Sequence, residues 1–475
     1  MPTNYHPRGF RRADYSLLQS AVAHVARQKG QATSLLATNH PNMQAVNERL
    51  EQLQSAPTLA RAVPSGVGTV AHCIDLLARY AKCRIFGPRS EADDIKNNEL
   101  KDSPCDLAWA TSVADYIDNY AFSVTNPKYT PWVNLNDFVY PLPEAGSDGK
   151  TLTVGILGDW GTGEPVAQAV LQNLMNAKPD LIVHVGDIYY AGTNDECAGN
   201  FLGNITTYAP KTPIYTLPGN HEYYSGGVGY YSILPKLNQF ASWAKPQQAS
   251  FFCLNNSWLQ LQGMDTGYNA GQLIEEIAGC EKPTSLYAKS PNPEITWHMS
   301  QINNGIAAKR RILLLSHHQP FSAYSAIGGG GVNSNLLGSF ASPLAAGNIT
   351  AWLWGHEHVC EVYGGPVSLP PPTGSISLKG RCVGHSAFPV LHEEAPYKVV
   401  NPNIAQFAAA YQLGLSSDRE VYNHGYVILQ LNPTSGQALY YEVDGGSGQF
   451  LGLKYTEALY GTPQTVAVAP LAENR

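Results

Sequence analysis

Five short apolar runs, each stopping on a metal-loving side chain, constrain this sequence more than anything else in it. They are Val154–Asp159, Leu181–Asp187, Ile214–His221, Ile312–His318 and Ile349–His356. A short apolar run bounded by turn residues is what a buried strand looks like. In open α/β sheets, ligands collect at the carboxyl ends of such strands. All five runs end in Asp, Asn or His, and glycine stands directly before Asp159, Asp187, Asn220 and His356. Glycine lets the backbone turn tightly and come close to an ion. One such run means little. Five in one chain predict a layered α/β domain whose strand ends share a site.

A chain of 475 residues can bury a large core and hold more than one domain. Its hydrophobic content of 44% and charged content of 14% are those of a folded protein. The net charge of −7 leaves no basic footprint for nucleic acid, so no nucleic-acid partner is expected. No apolar stretch reaches the length of a membrane span. Met1–Arg8 lacks the apolar segment of a secretory signal. Arg11-Arg12 is followed by Asp14, His24, Arg27 and Lys29, which reads as a solvated helix start and not as a twin-arginine leader. The eight cysteines contain no Cys-x-x-Cys pair, which argues against a zinc knuckle or redox motif. A cytoplasmic chain with reduced thiols is expected, with disulfides only if it is exported by another route.

Four domain segments follow from the pattern. Residues 1–122 carry four apolar stripes at helical spacing, among them Val70, Cys73, Ile74, Leu77 and Ala81, and form an expected helical N-terminal domain. Residues 123–150, with Pro127, Pro131, Pro141 and Pro143, read as a linker laid over a surface. Residues 151–461 alternate strand and helix and form the expected catalytic domain. Residues 462–475 read as a flexible tail. Within the catalytic domain, Ser250–Leu254 and Trp258–Gln262 are expected as a hairpin, Glu294–Ile306 as a helix, and Tyr426–Leu431 with Ala438–Val443 as a hairpin of a second sheet.

The residue types at the run ends define the chemistry. Asp159 and Asp187 are hard anionic oxygen donors, and a carboxylate can bridge two cations. Asn220 offers a neutral amide oxygen, and His317, His356 and His358 offer imidazole nitrogens. Two ions about 3.5–4 Å apart can clamp an oxyanion and activate water. His317 is followed by His318, and either imidazole could be the ligand. Neighbours on a strand point oppositely, so one ring is expected to face the metals. The reading takes His317 as the ligand and His318 as a substrate contact. His184 lies mid-strand and reads as a core histidine, and at most one of His385, His392 and His424 is expected in the pocket.

Gly158-Asp159-Trp160-Gly161, Gly186-Asp187-Ile188-Tyr189-Tyr190, Gly219-Asn220-His221-Glu222, Leu315-Ser316-His317 and Gly355-His356-Glu357-His358 resemble the five motifs of calcineurin-like metallophosphoesterases. They are most similar to the purple acid phosphatase branch, because Gly161 replaces the histidine of the wider superfamily's first motif and Tyr190 stands three residues after Asp187. The resemblance covers roughly residues 152 to 445. It implies a four-layer α/β/β/α sandwich with two metal ions. One would be bound by Asp159, Asp187, Tyr190 and His358, the other by Asp187, Asn220, His317 and His356. It further implies Fe(III) plus a divalent ion (Fe, Zn or Mn). A tyrosine needs a strongly polarising ion to be a phenolate near neutral pH. A neutral Tyr190 donating a hydrogen bond beside two divalent ions is the plainer reading. The implied activity is hydrolysis of phosphate monoesters by a metal-bound hydroxide, with His221 assisting the leaving group and Asn220, His221 and His318 touching substrate. Glu222 reads as orienting its loop. A phosphodiesterase acting on nucleotides or lipid head groups is the enzymatic alternative, and a non-catalytic scaffold is the non-enzymatic one.

Overall fold

The structure is a computed structural model. It describes residues 127–462 apart from 190–191, 241–242, 271–282, 326, 328, 370–375, 391, 393–394 and 407–408, together with 89–95 and 98. The expected N-terminal helical domain lies almost wholly outside the described residues, as does all but the first residue of the tail.

The strands are β1 (Val139–Pro141), β2 (Leu152–Leu157), β3 (Leu181–His184), β4 (Ile214–Thr216), β5 (Phe252–Asn255), β6 (Leu259–Gly263), β7 (Arg311–Ser316) and β8 (Ile349–Trp354). They continue as β9 (Cys360–Tyr363), β10 (Val367–Leu369), β11 (Ile376–Leu378), β12 (Gly380–Val383), β13 (Ala409–Tyr411), β14 (His424–Leu431), β15 (Gly436–Val443) and β16 (Phe450–Tyr460). Three helices matter to the site: α1 (Pro165–Asn176), α2 (Asn220–Tyr224) and α3 (Glu294–Ala307). One sheet runs β16-β15-β14-β2-β3-β4 and the other β1-β5-β6-β7-β8-β12-β9-β13, with β10 and β11 paired separately.

Period-two alternation packs the sheets face to face. Val154, Ile156, Leu181, Val183, Val427 and Leu429 of the first sheet share one core with Leu261, Leu313, Leu315, Ala351 and Leu353 of the second. The alternate residues face outward. Leu157, Ile182, Tyr426 and Ile428 pack with Ala167, Val170, Leu171 and Leu174 of α1. Ile312, Leu314, Trp352 and Trp354 pack with Ile302 of α3 on the far side. The result is the expected four-layer α/β/β/α sandwich.

β2, β3 and β4 are parallel neighbours, as are β7 and β8. Within each sheet these runs end at the same edge, and the contacts of Asp187 with His317 and of Asp159 with His356 bring the two edges to one rim. The expected hairpin in the insertion is β5–β6, and the expected helix is α3. The late hairpin, β14–β15, differs from expectation. It belongs to the same sheet as the first run, because β14 pairs antiparallel with β2. The segment read as a linker contributes β1, which pairs in parallel with β5 and so extends the second sheet.

Candidate metal centre

At the rim the backbone turns in an unusual way. Asp159, Asp187, His356 and His358 all have positive φ, at 58°, 72°, 70° and 54°. Non-glycine residues enter this left-handed region rarely and at a cost, and they cluster at functional sites. Each turn swings a polar side chain off the end of a strand into the seam between the sheets, where all four residues are buried.

Two groups of potential ligands result: Asp159, Asp187 and His358, and His317, His318 and His356. Asp187 joins them. Its Oδ1 lies 3.3 Å from His317 Nε2, while its Oδ2 accepts a hydrogen bond from the Tyr189 hydroxyl at 3.0 Å. His317 Nδ1 lies 3.0 Å from the Val185 carbonyl oxygen, which can only accept, so Nδ1 carries a proton. Its Nε2 meets Asn220 Oδ1 at 3.1 Å and His356 Nδ1 at 3.2 Å. The Asn220 amide is oriented by Tyr224, whose hydroxyl accepts from Nδ2 at 2.7 Å.

In the other group the Tyr189 hydroxyl lies 2.8 Å from Asp159 Oδ1 and 2.7 Å from His358 Nε2. Asp159 Oδ2 accepts from the His356 backbone N–H at 2.8 Å, and His358 Nε2 stands 3.2 Å from Asp159 Oδ1. A single phenolic proton cannot serve both carboxylates at once.

The electrostatics follow from burial and crowding. Burial raises the Asp159 carboxyl to about 7 despite the opposing pull of His317. Burial also resists ionisation of Asp187, but His317, His221 and His356 outweigh it and hold that carboxyl well below the ordinary range. His317 is pushed up to about 9, because Asp187 and Asp159 overcome its desolvation. Burial and the His317 charge hold His318 well below the usual imidazole range. Burial and the two aspartates raise the Tyr189 phenol well above its normal value.

The donor set fits divalent or trivalent cations. Hard carboxylates, an amide oxygen and imidazole nitrogens converge on shared points, and the His317 ring is oriented by a hydrogen bond from its other nitrogen to a carbonyl.

Residues 152–360 match the calcineurin-like phosphoesterase family. A search of curated proteins finds no match to the sequence. Among solved structures, the chain is similar to PhoD at 12% identity, over 69% of this chain and 74% of that one, with a TM-score of 0.43. It is similar to purple acid phosphatase PPD1 from yellow lupin (Lupinus luteus) seeds at 15% identity, over 70% of this chain and 59% of that one, with a TM-score of 0.40. It is also similar to GAP50, the anchor in the inner membrane complex of Plasmodium, at 12% identity, over 66% and 90% of the two chains, with a TM-score of 0.40. Among the described residues, no helix is long and apolar enough to cross a membrane.

Within the matched stretch, Asp159, Asp187, Asn220, His317, His356 and His358 come together at the rim. His318 joins them. β7 ends at Ser316, so strand alternation no longer governs the two histidines, and both rings pack on His356, with centroids 5.1 and 4.4 Å away. His318 Nδ1 lies 3.0 Å from Thr266 Oγ1. Tyr190 lies outside the described residues. Its neighbour Tyr189, which the sequence reading passed over, supplies the phenol found between Asp159, Asp187 and His358. Ile188 bridges to Gly161 and faces the outer core, which turns the next side chain toward the metal residues.

His221 is partly exposed, with Nε2 3.8 Å from Asp187 Oδ2 and its backbone N–H donating to Asp187 Oδ1 at 3.2 Å. Glu222 accepts from the Gly219 N–H at 2.7 Å and secures the start of α2. His184 is a core residue packed near Trp160 and Phe201, with Nδ1 2.9 Å from Thr216 Oγ1. His385 and His424 are buried, and His392 is exposed. Glu357 was also missed by the sequence reading. It points away from the rim and accepts from Trp354 Nε1 at 2.8 Å and from the hydroxyls of Ser322 and Ser325, fixing the turn between His356 and His358.

Proposed function

We propose that this protein hydrolyses phosphate monoesters with two metal ions. One ion would be held by Asp159, Asp187, His358 and a tyrosine, the other by Asp187, Asn220, His317 and His356. The observation that carries this reading is Asp187, whose two oxygens face different ligand groups. When bound, such ions polarise phosphoryl oxygens and acidify water. The chain's own residues do the rest. Asp187 keeps its negative charge against burial and so supplies a shared anionic donor. Asn220 presents its amide oxygen because its Nδ2 donates a hydrogen bond to the Tyr224 hydroxyl. His318, braced by Thr266, is available to a non-bridging phosphoryl oxygen. His221 stands at the exposed edge, placed to give a proton to the departing alcohol oxygen. Fe(III) with Fe, Zn or Mn as the divalent partner suits a phenolate ligand.

The test is metal analysis and a phosphoester panel on full-length protein and on Asp187→Ala. Two ions per chain and turnover of monoesters are expected, with both ions lost from the variant. A variant that keeps two tightly bound ions overturns the bridge. Turnover of diesters alone would make the protein a phosphodiesterase. The colour of iron-loaded protein tests the tyrosine. A ferric phenolate absorbs visible light, and Tyr189→Phe and Tyr190→Phe distinguish which residue supplies it. A colourless iron-loaded protein would mean a site of two divalent ions.

A further inference from the structure

We propose that Phe388, together with Ser386, is a positioning residue for one half of the metal centre, the half made by Asp159, Tyr189 and His358. The proposal rests on reading these residues as metal-binding. Residues 384–388 follow β12 and lie beyond the matched stretch 152–360, yet they form a wall of the site.

The wall is fastened to the Asp159 turn from both directions. The Gly158 N–H donates to Ser386 Oγ at 3.1 Å, and the Ser386 N–H donates to the Gly158 carbonyl at 3.0 Å. The backbone passes so close that a Cβ on Gly384 would stand 2.6 Å from Asp159 Oδ2. Behind it, the Gly425 N–H donates to the His385 carbonyl at 2.9 Å, tying the segment to β14. Phe388 then turns back over the ligands. Its ring stacks on His358 with centroids 4.2 Å apart and planes at 28°, and it packs on Tyr189 at 4.7 Å. Only 7% of Phe388 is exposed.

All these contacts fall on one ligand group. His317, His318 and His356 pack instead on one another, with ring centroids 4.4–5.1 Å apart. An imidazole on a left-handed turn has two side-chain torsions to fix before Nε2 points at its carboxylate partner. A flat ring stacked on one face removes most of the alternatives. Outer groups that orient a ligand in this way typically change metal affinity about 10–100-fold when removed. The effect here should fall on one ion of the two.

The experiment uses full-length protein stripped of metal and titrated calorimetrically with Mn²⁺. Wild type should take up two ions. Phe388→Leu and Phe388→Ala should each weaken one ion about 10–100-fold and leave the other within about twofold. Because the ring is buried, Phe388→Ala should also lower the melting temperature of the metal-free protein, while the affinity loss stays confined to one ion, and Phe388→Tyr should restore the affinity. In an Asp159→Asn background, which already lacks that ion, Phe388→Leu should have no further effect on the remaining one. Equal weakening of both ions overturns the proposal and makes Phe388 a packing residue. Unchanged binding of both ions in Phe388→Leu and Phe388→Ala overturns it too. Wild type that takes up no ion would remove the metal reading itself, a failure distinguishable from the others.

Discussion

His221 is the side chain of the rim that combines partial exposure with contact to the shared carboxylate, and this decides what it can do. An exposed edge leaves its ring within reach of a departing alcohol. His221→Ala should lower turnover about 10²–10⁴-fold with the ions retained. The loss should be smaller for aryl than for alkyl phosphates, since a good leaving group needs little protonation. Equal losses on both would make His221 a charge stabiliser and not an acid. At this scale the sequence was legible wherever a glycine preceded an Asp, Asn or His at a strand end, since those side chains do meet at the rim. It was not legible at Tyr189, because the tyrosine that meets the aspartates is chosen by the turn at Asp187 and the bridge of Ile188 to Gly161. Nor was it legible at Phe388, whose partners His358 and Tyr189 lie far from it along the chain.

The junction of β4 and α2 shows what an element must give up to bring Asn220 to the rim. Gly219 has φ −96° and ψ −163°, a conformation open to any residue, so the backbone does not require glycine. The space does. A Cβ there would collide with Asp187 Oδ1 and stand 2.7 Å from His317 Nε2. Gly219→Ala should therefore keep its helix and strand content by circular dichroism and lose metal, measured as ions per chain after dialysis. A Gly219→Ala protein that binds two ions as tightly as wild type would contradict this placement of Asp187 and His317. The elements β2, β3, β4, β7 and β8 could be read from apolar runs because each is buried on both faces. The neighbours of β2 could not, since pairing between distant strands leaves no local mark.

Across the molecule the two sheets are joined by more than their shared core. Arg381 of β12 grips Glu457 of β16 with two hydrogen bonds of 2.7 Å, and Tyr440 donates to the same carboxylate at 2.7 Å. Arg381 is 1% exposed and the Glu457 side chain 10%, so removing the arginine leaves a mostly buried carboxylate without its main countercharge. Arg381→Met should cost about 3–5 kcal/mol in urea unfolding, and Arg381→Met with Glu457→Met should recover most of that. If the double variant were as unstable as the single one, the clamp would owe its strength to packing and not to charge.

β2 lies between β3, which follows it closely in the chain, and β14, which is made near the end. A ribosome releases the apolar stretch Leu152–Leu157 long before His424–Leu431 exists to cover its other edge. At about 5–20 residues per second the wait is on the order of ten to fifty seconds. During that time the nascent chain carries an open, hydrophobic strand edge, the kind that pairs with whatever strand arrives first. Nascent chains stalled before residue 424 should accordingly engage holdase chaperones that release them once β14 is made.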